Sequence, residues 1–193
     1  MNARIASAVF GLAMIGGSLA ADRVAILSEG AAASLWSPAP GVARVLPPYP
    51  ANLADKSEDA CVSLGYLLKE DGSTSDFAVL TSWGSKTTEG KAPAGHFDPY
   101  AQSAAAAVKE WRFVPAGGGH ANIKPIYTAA TFAFSSNPAT DLKPLRDHCV
   151  IADLPEFIKR AQEDAYKKGN LNKGQMQRDR TQNPPMIQPP PQR

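Results

Sequence analysis

The chain has 193 residues and nearly balanced charge, 20 basic against 18 acidic side chains. That length suits one domain with flanking segments, and the balance offers neither a basic face for nucleic acid nor a strong pull toward an anionic membrane. Ten of its 17 prolines lie within residues 38–50 and 184–191, which confines the compact core to 47–150, near the usual domain size of about 100 to 150 residues.

Residues 1–21 have the pattern of a secretory signal. Arg4 supplies a positive charge, Ile5 to Ile15 is an apolar run, and Ser18-Leu19-Ala20 is a small-x-small site, which places cleavage after Ala20. The alternative is an uncleaved inner-membrane anchor, although Ile5 to Ala21 is about 17 residues, the lower limit for a spanning helix. Export puts Cys61 and Cys149 in an oxidising compartment, which favours pairing them. Two free buried thiols are the alternative. No CxxC or HxxxH spacing suggests a metal site.

Residues 22–46, rich in Ala, Ser, Gly and Pro without periodicity, read as a linker. Pro47-Pro48-Tyr49-Pro50 is extended, because proline fixes its own φ and restricts the residue before it. Ala51–Lys56 suits a short helix. Cys61–Lys69 alternates, with Val62, Leu64, Tyr66 and Leu68 on one face, as in a half-buried strand. Glu70-Asp71-Gly72-Ser73 is a hairpin turn with Gly72 available for positive φ, and Thr74–Trp83 is the returning strand. After a polar loop, Asp98 caps a helix with Pro99 in its first turn. Tyr100, Ala101, Ala104, Ala105 and Val108 form its apolar face, and Trp111 and Phe113 alternate on the way out to Pro115. Lys124–Phe134 alternates again as a third strand. Asp153-Leu-Pro-Glu156 opens a further helix by the capping-box pattern, ending at Gly169-Asn170. Residues 151–170 are thus a helical extension, and 171–193, dominated by Gln, Asn, Arg and Pro, are expected to be disordered.

The order strand, strand, helix, strand predicts an α+β fold with a small three-stranded, mainly antiparallel sheet and a crossover helix on one face. If the third strand lies beside the first, the sheet order is second, first, third, and the third strand has a free edge.

Four stretches in sequence carry a family likeness: Pro47-Pro48-Tyr49-Pro50, the hairpin from Cys61 through Gly72 to Ser82-Trp83-Gly84, the helix and exit from Phe97-Asp98 to Ala116, and Thr131-Phe-Ala-Phe134. Together they resemble the C-terminal domain of the TonB family over residues 47–134. The resemblance implies a periplasmic domain that grips the N-terminal peptide of outer-membrane TonB-dependent transporters, the peptide adding as a strand to a sheet edge. On this sequence the pairing residues would be Tyr127, Thr128, Ala129, Ala130 and Thr131, flanked by Leu46, Pro47, Pro48, Tyr49 and Pro50. An inner-membrane proton-channel complex would be a further partner if the N-terminal segment stays anchored, and a homodimer could form by self-pairing. The other reading is a soluble periplasmic interaction or structural protein of the envelope that keeps the fold without energy transduction.

An enzyme would have to use His96 with Asp98, His120 in a glycine run, or His148 beside Cys149. No Ser–His–Asp or Cys–His signature surrounds them. The sequence therefore reads as a binding protein rather than an enzyme, with no cofactor, metal or nucleic acid expected.

Overall fold

A computed structural model describes residues 24–87, 92–118 and 124–170. The expected leader at 1–21, the expected tail at 171–193 and His120 lie outside the described residues. In chain order the elements are β1 (Ala25–Ile26), β2 (Trp36–Pro38), β3 (Ala60–Leu68), β4 (Thr74–Gly84), α1 (Asp98–Glu110), β5 (Phe113–Pro115), β6 (Ile126–Phe134), α2 (Leu142–Asp147) and α3 (Leu154–Lys167). Short 3-10 segments occupy Ala31–Ser34, Ala51–Lys56 and Ala116–Gly118.

The fold is α+β. Its main sheet has four strands in the order β1-β6-β3-β4, and β2 with β5 forms a separate two-stranded ribbon. β3 is antiparallel to both neighbours, with Ser63 opposite Thr81 on one side and Thr131 on the other. The order β4-β3-β6 is the expected second, first, third, and α1 carries the chain from β4 across β3 to β6. The fourth strand was not expected.

On one face, Val62, Leu64, Tyr66 and Leu68 of β3 meet Tyr100, Ala104 and Val108 of α1 and the indoles of Trp36 and Trp111. The N-cap of α1 is Phe97, not Asp98, because the Asp98 N–H already bonds the Gly95 carbonyl at 3.1 Å in a preceding turn. Asp98 instead sits in the first turn, where its charge suits the positive end of the helix. The hairpin turn is as expected: Gly72 has φ +76°, and its carbonyl accepts the Phe113 N–H at 3.0 Å. That bond ties the turn to β5.

β3 is buried on both faces rather than half-buried. The second face is covered by Leu154 and Ile158 of α3 with Tyr127 and Ala129 of β6, and Cys61 is bonded to Cys149 just beyond α2. Both sulfurs are fully buried. The helices thus lie on two faces of the sheet, and residues 151–170 are a packed layer rather than an appendage. α3 begins as the capping pattern implies, with Asp153 Oδ1 accepting the Glu156 N–H at 2.9 Å.

The largest correction is to 22–46. Residues 25–38 are an integral part of the fold, because β1 adds to β6, β2 pairs with β5, and the Trp36 side chain is only 2% exposed. A linker with a buried indole is a contradiction in energy, since that burial stabilises the fold by several kcal/mol.

Candidate functional site

β6 is the strand on which the expected site depends. Its ladder with β3 runs without a shift from Ile126 opposite Leu68 to Phe134 opposite Ala60. In an antiparallel ladder alternate residues turn their amides away from the partner strand. The bonds made by Tyr127 and Thr131 on the outer side fix which residues these are, so Ala129 and Ala133 face outward as well.

The edge is not free over its whole length, contrary to expectation. β1 pairs in parallel with Ile126 and Tyr127, and Leu27 N–H donates to the Tyr127 carbonyl at 2.9 Å. Further along, side chains replace a strand. Glu29 Oε1 accepts the Thr131 N–H at 3.0 Å and Oε2 accepts the Thr131 hydroxyl at 2.7 Å. Arg146 Nε donates to the Thr131 carbonyl at 3.2 Å, and its other arm pairs with Glu29 Oε1 at 2.6 Å. Tyr127 and Thr131 are therefore occupied positions, because the chain's own N-terminal segment turns alongside them.

Along the remaining edge runs a cleft of about 800 Å³. Thr128, Ala129, Ala130 and Thr131 line it, as do Leu46 and Pro47, so the structure brings two separately expected segments to one place. Leu46 is 75% exposed at its rim. Pro48, Tyr49, Pro50 and Tyr127 are not in the lining. Pro48 is held by its carbonyl, which accepts the Ser103 hydroxyl at 2.6 Å. The Tyr49 hydroxyl meets the Glu58 carbonyl at 3.0 Å and the Tyr100 hydroxyl at 3.2 Å. Tyr127 is buried against α3 on the second face. The Pro50 carbonyl accepts the Leu53 N–H at 3.0 Å, so Pro48, Tyr49 and Pro50 are held by partners inside the fold, whereas the buried Tyr127 hydroxyl has no hydrogen-bond partner among the described residues.

Sequence reasoning missed Glu29, Trp36, Arg44 and Arg146. Arg44 stacks 4.4 Å over the Trp111 ring, and the Trp111 indole donates to the Val45 carbonyl at 2.8 Å. These contacts fasten the 44–47 segment of the cleft wall. The Trp36 Nε1 and Thr128 Oγ1 atoms are buried without a hydrogen-bond partner among the described residues, and both residues line the cleft. The only sequence signal for this region was a lone Trp36 after the short apolar run Val24–Leu27. Burial pushes the Tyr66 phenol, also in the lining, up to about 12, with Arg44 pulling it back and Glu29 adding slightly.

Of the candidate enzyme histidines, the two that are described have separate partners. His96 Nε2 is 2.9 Å from Glu58 Oε2, and His148 stacks on Trp83 with ring centres 4.0 Å apart. Among the described residues, no group of three His, Cys, Asp or Glu is placed to hold a metal ion. No described helix is long and apolar enough to cross a membrane.

Fold and cleft together define an α+β module with a sheet edge that is half covered by its own chain. No family model matches the chain and no curated protein matches it. Among solved structures it is similar to the solution NMR structure of the Pseudomonas aeruginosa TonB CTD, with 23% identity and a TM-score of 0.40, over 56% of this chain and 91% of that one. The functional reading therefore rests on this chain's own residues.

Proposed function

We propose that this protein is a TonB-like peptide-binding module of the cell envelope, a binder and not an enzyme. An extended guest segment adds to the outer edge of β6 between Ala129 and Ala133, beneath the Leu46–Pro47 rim. The fitting guest is the N-terminal peptide of an outer-membrane TonB-dependent transporter, and the chain acts in the periplasm, freed by cleavage after Ala20 or tethered by the same segment. One observation supports the reading: the cleft beside β6 brings Leu46 and Pro47 of one implied segment together with Thr128 to Thr131 of the other. Strand addition suits it because outward amides of an edge strand give affinity that is independent of guest sequence.

The test is a titration of isotope-labelled protein with a transporter N-terminal peptide. Resonances of 128–133 and of Leu46 should shift together. Shifts confined to β4, the opposite edge of the sheet, would refute the assignment to β6. Absence of any shift at millimolar peptide would favour an envelope interaction protein without a transporter role.

A further inference from the structure

We infer that Glu29 holds the place of a guest side chain: the partner is an extended peptide bearing a carboxylate opposite Thr131. This rests on the strand-addition reading above. Two of the four bonds around Thr131, those to its N–H and its carbonyl, are the ones a bound strand would make. A carboxylate oxygen stands for a guest carbonyl on the Thr131 N–H, and a guanidinium stands for a guest N–H on its carbonyl. Thr131 points its hydroxyl to the face that carries Ser63, 3.4 Å away. A guest residue directly opposite would have its Cβ about 5 Å from that of Thr131, on the same face. A carboxylate there reaches two of the three groups that Glu29 now satisfies, the Thr131 hydroxyl and the Arg146 guanidinium, while the guest backbone takes the third, the Thr131 N–H.

The charge around the site agrees. With Glu29 displaced, the lining retains Arg44, Lys143 and Arg146 as its charged groups. The unpartnered Trp36 indole only donates, so it too calls for an acceptor on the guest. Glu29 is 23% exposed and Arg146 41%, so the pair is reached by solvent and can be exchanged. Ser28 and Gly30 flank Glu29 in a turn, where the Ala31 N–H bonds the Ser28 carbonyl at 3.0 Å. The plug therefore sits on a turn and not within a strand.

The experiment uses the full chain and two nine-residue synthetic peptides of alternating Val and Thr, one with a central Glu and one with a central Gln. Binding is followed by calorimetry and mapped by amide shifts. The Glu peptide should bind about tenfold tighter, the size of one charge-assisted hydrogen bond in a partly buried site. Arg146→Gln should bring the two affinities together. Glu29→Ala should tighten both peptides by about tenfold and speed hydrogen exchange at the Thr131 amide without peptide. Glu29→Gln, which keeps the shape, should do so less. Equal binding of the two peptides at 128–133 overturns the acidic preference and leaves strand addition standing. Unchanged Thr131 exchange in Glu29→Ala overturns the plug. Binding of neither peptide to any variant overturns both readings.

Discussion

Replacing Cys149 with Ser removes the covalent tie between the central strand β3 and the junction of α2 with α3. The bridge spans 88 residues of sequence. For a loop of that length the chain-entropy relation gives a denatured state restrained by about 4.6 kcal/mol at 25 °C. Domains of this class are stable by only about 5 to 15 kcal/mol in total, so the change removes a large share. For a domain of this size it corresponds to a fall in Tm of roughly 15 °C. The assay is thermal unfolding followed by circular dichroism without reductant, comparing wild type, Cys149→Ser and the Cys61→Ala/Cys149→Ala pair. Both sulfurs are fully buried, so dithiothreitol at room temperature should leave the wild type intact until the fold opens, and reduction after unfolding should reproduce the variant's Tm. A variant melting within about 3 °C of wild type would refute the loop-entropy account.

Trp36→Ala should cost about 3 to 5 kcal/mol in urea unfolding, the usual loss for a buried aromatic; a loss under about 1 kcal/mol would return 22–46 to a linker. Gly72→Ala should cost at least about 2 kcal/mol, because φ +76° disfavours a side chain and the new methyl would run into the Phe113 carbonyl; wild-type stability would mean that the turn is not held against β5. Burial pushes Tyr66 and Tyr127 up to about 12 from an ordinary value near 10. The folded state thus holds their protons more tightly, so the stability they contribute is complete below pH 10 and is lost as pH rises through 10 to 12, by about 2 to 3 kcal/mol each. Denaturant titrations from pH 8 to 11.5 with phenolate absorbance should show this decline, and flat stability across that range would refute it.

The elements that could be seen in the sequence are those whose signal is local. Tyr100, Ala104 and Val108 recur at helical spacing, β3 and β6 alternate over nine residues each, and Asp153 with Glu156 announces α3. β1 and β2 have two and three residues, too few for a period, and exist only because β6 and β5 are there to pair with. α2 escaped notice because it is six residues long and contains Pro144. The second covered face did have a trace: Cys61, Ser63 and Gly65 are small, which lets another layer approach closely. Half of the candidate site was expected from the free third-strand edge and the family likeness, Leu46–Pro47 and 128–131. The other half, Glu29 and Arg146, comes from residues 102 and 15 positions away from Thr131, and no local pattern reports a contact made at that separation.

An edge strand left open invites pairing with any other chain, and folds suppress this by pairing, charging or covering it. Here the N-terminal segment covers β6 only as far as Tyr127 and then turns away at Ser28–Ala31, with Gly30 at φ +84°. Residues from this segment were available to continue the parallel pairing, since the chain runs on to Trp36 without another strand. It reaches Thr131 instead with one carboxylate, supported by one guanidinium from α2. Two side chains in partial contact with water fill the hydrogen bonds of a single position, and they leave by rotamer changes, whereas a strand leaves only by local unfolding. On the strand-addition proposal, cover of this kind closes the edge to chance encounters and yields to a guest that offers the same groups.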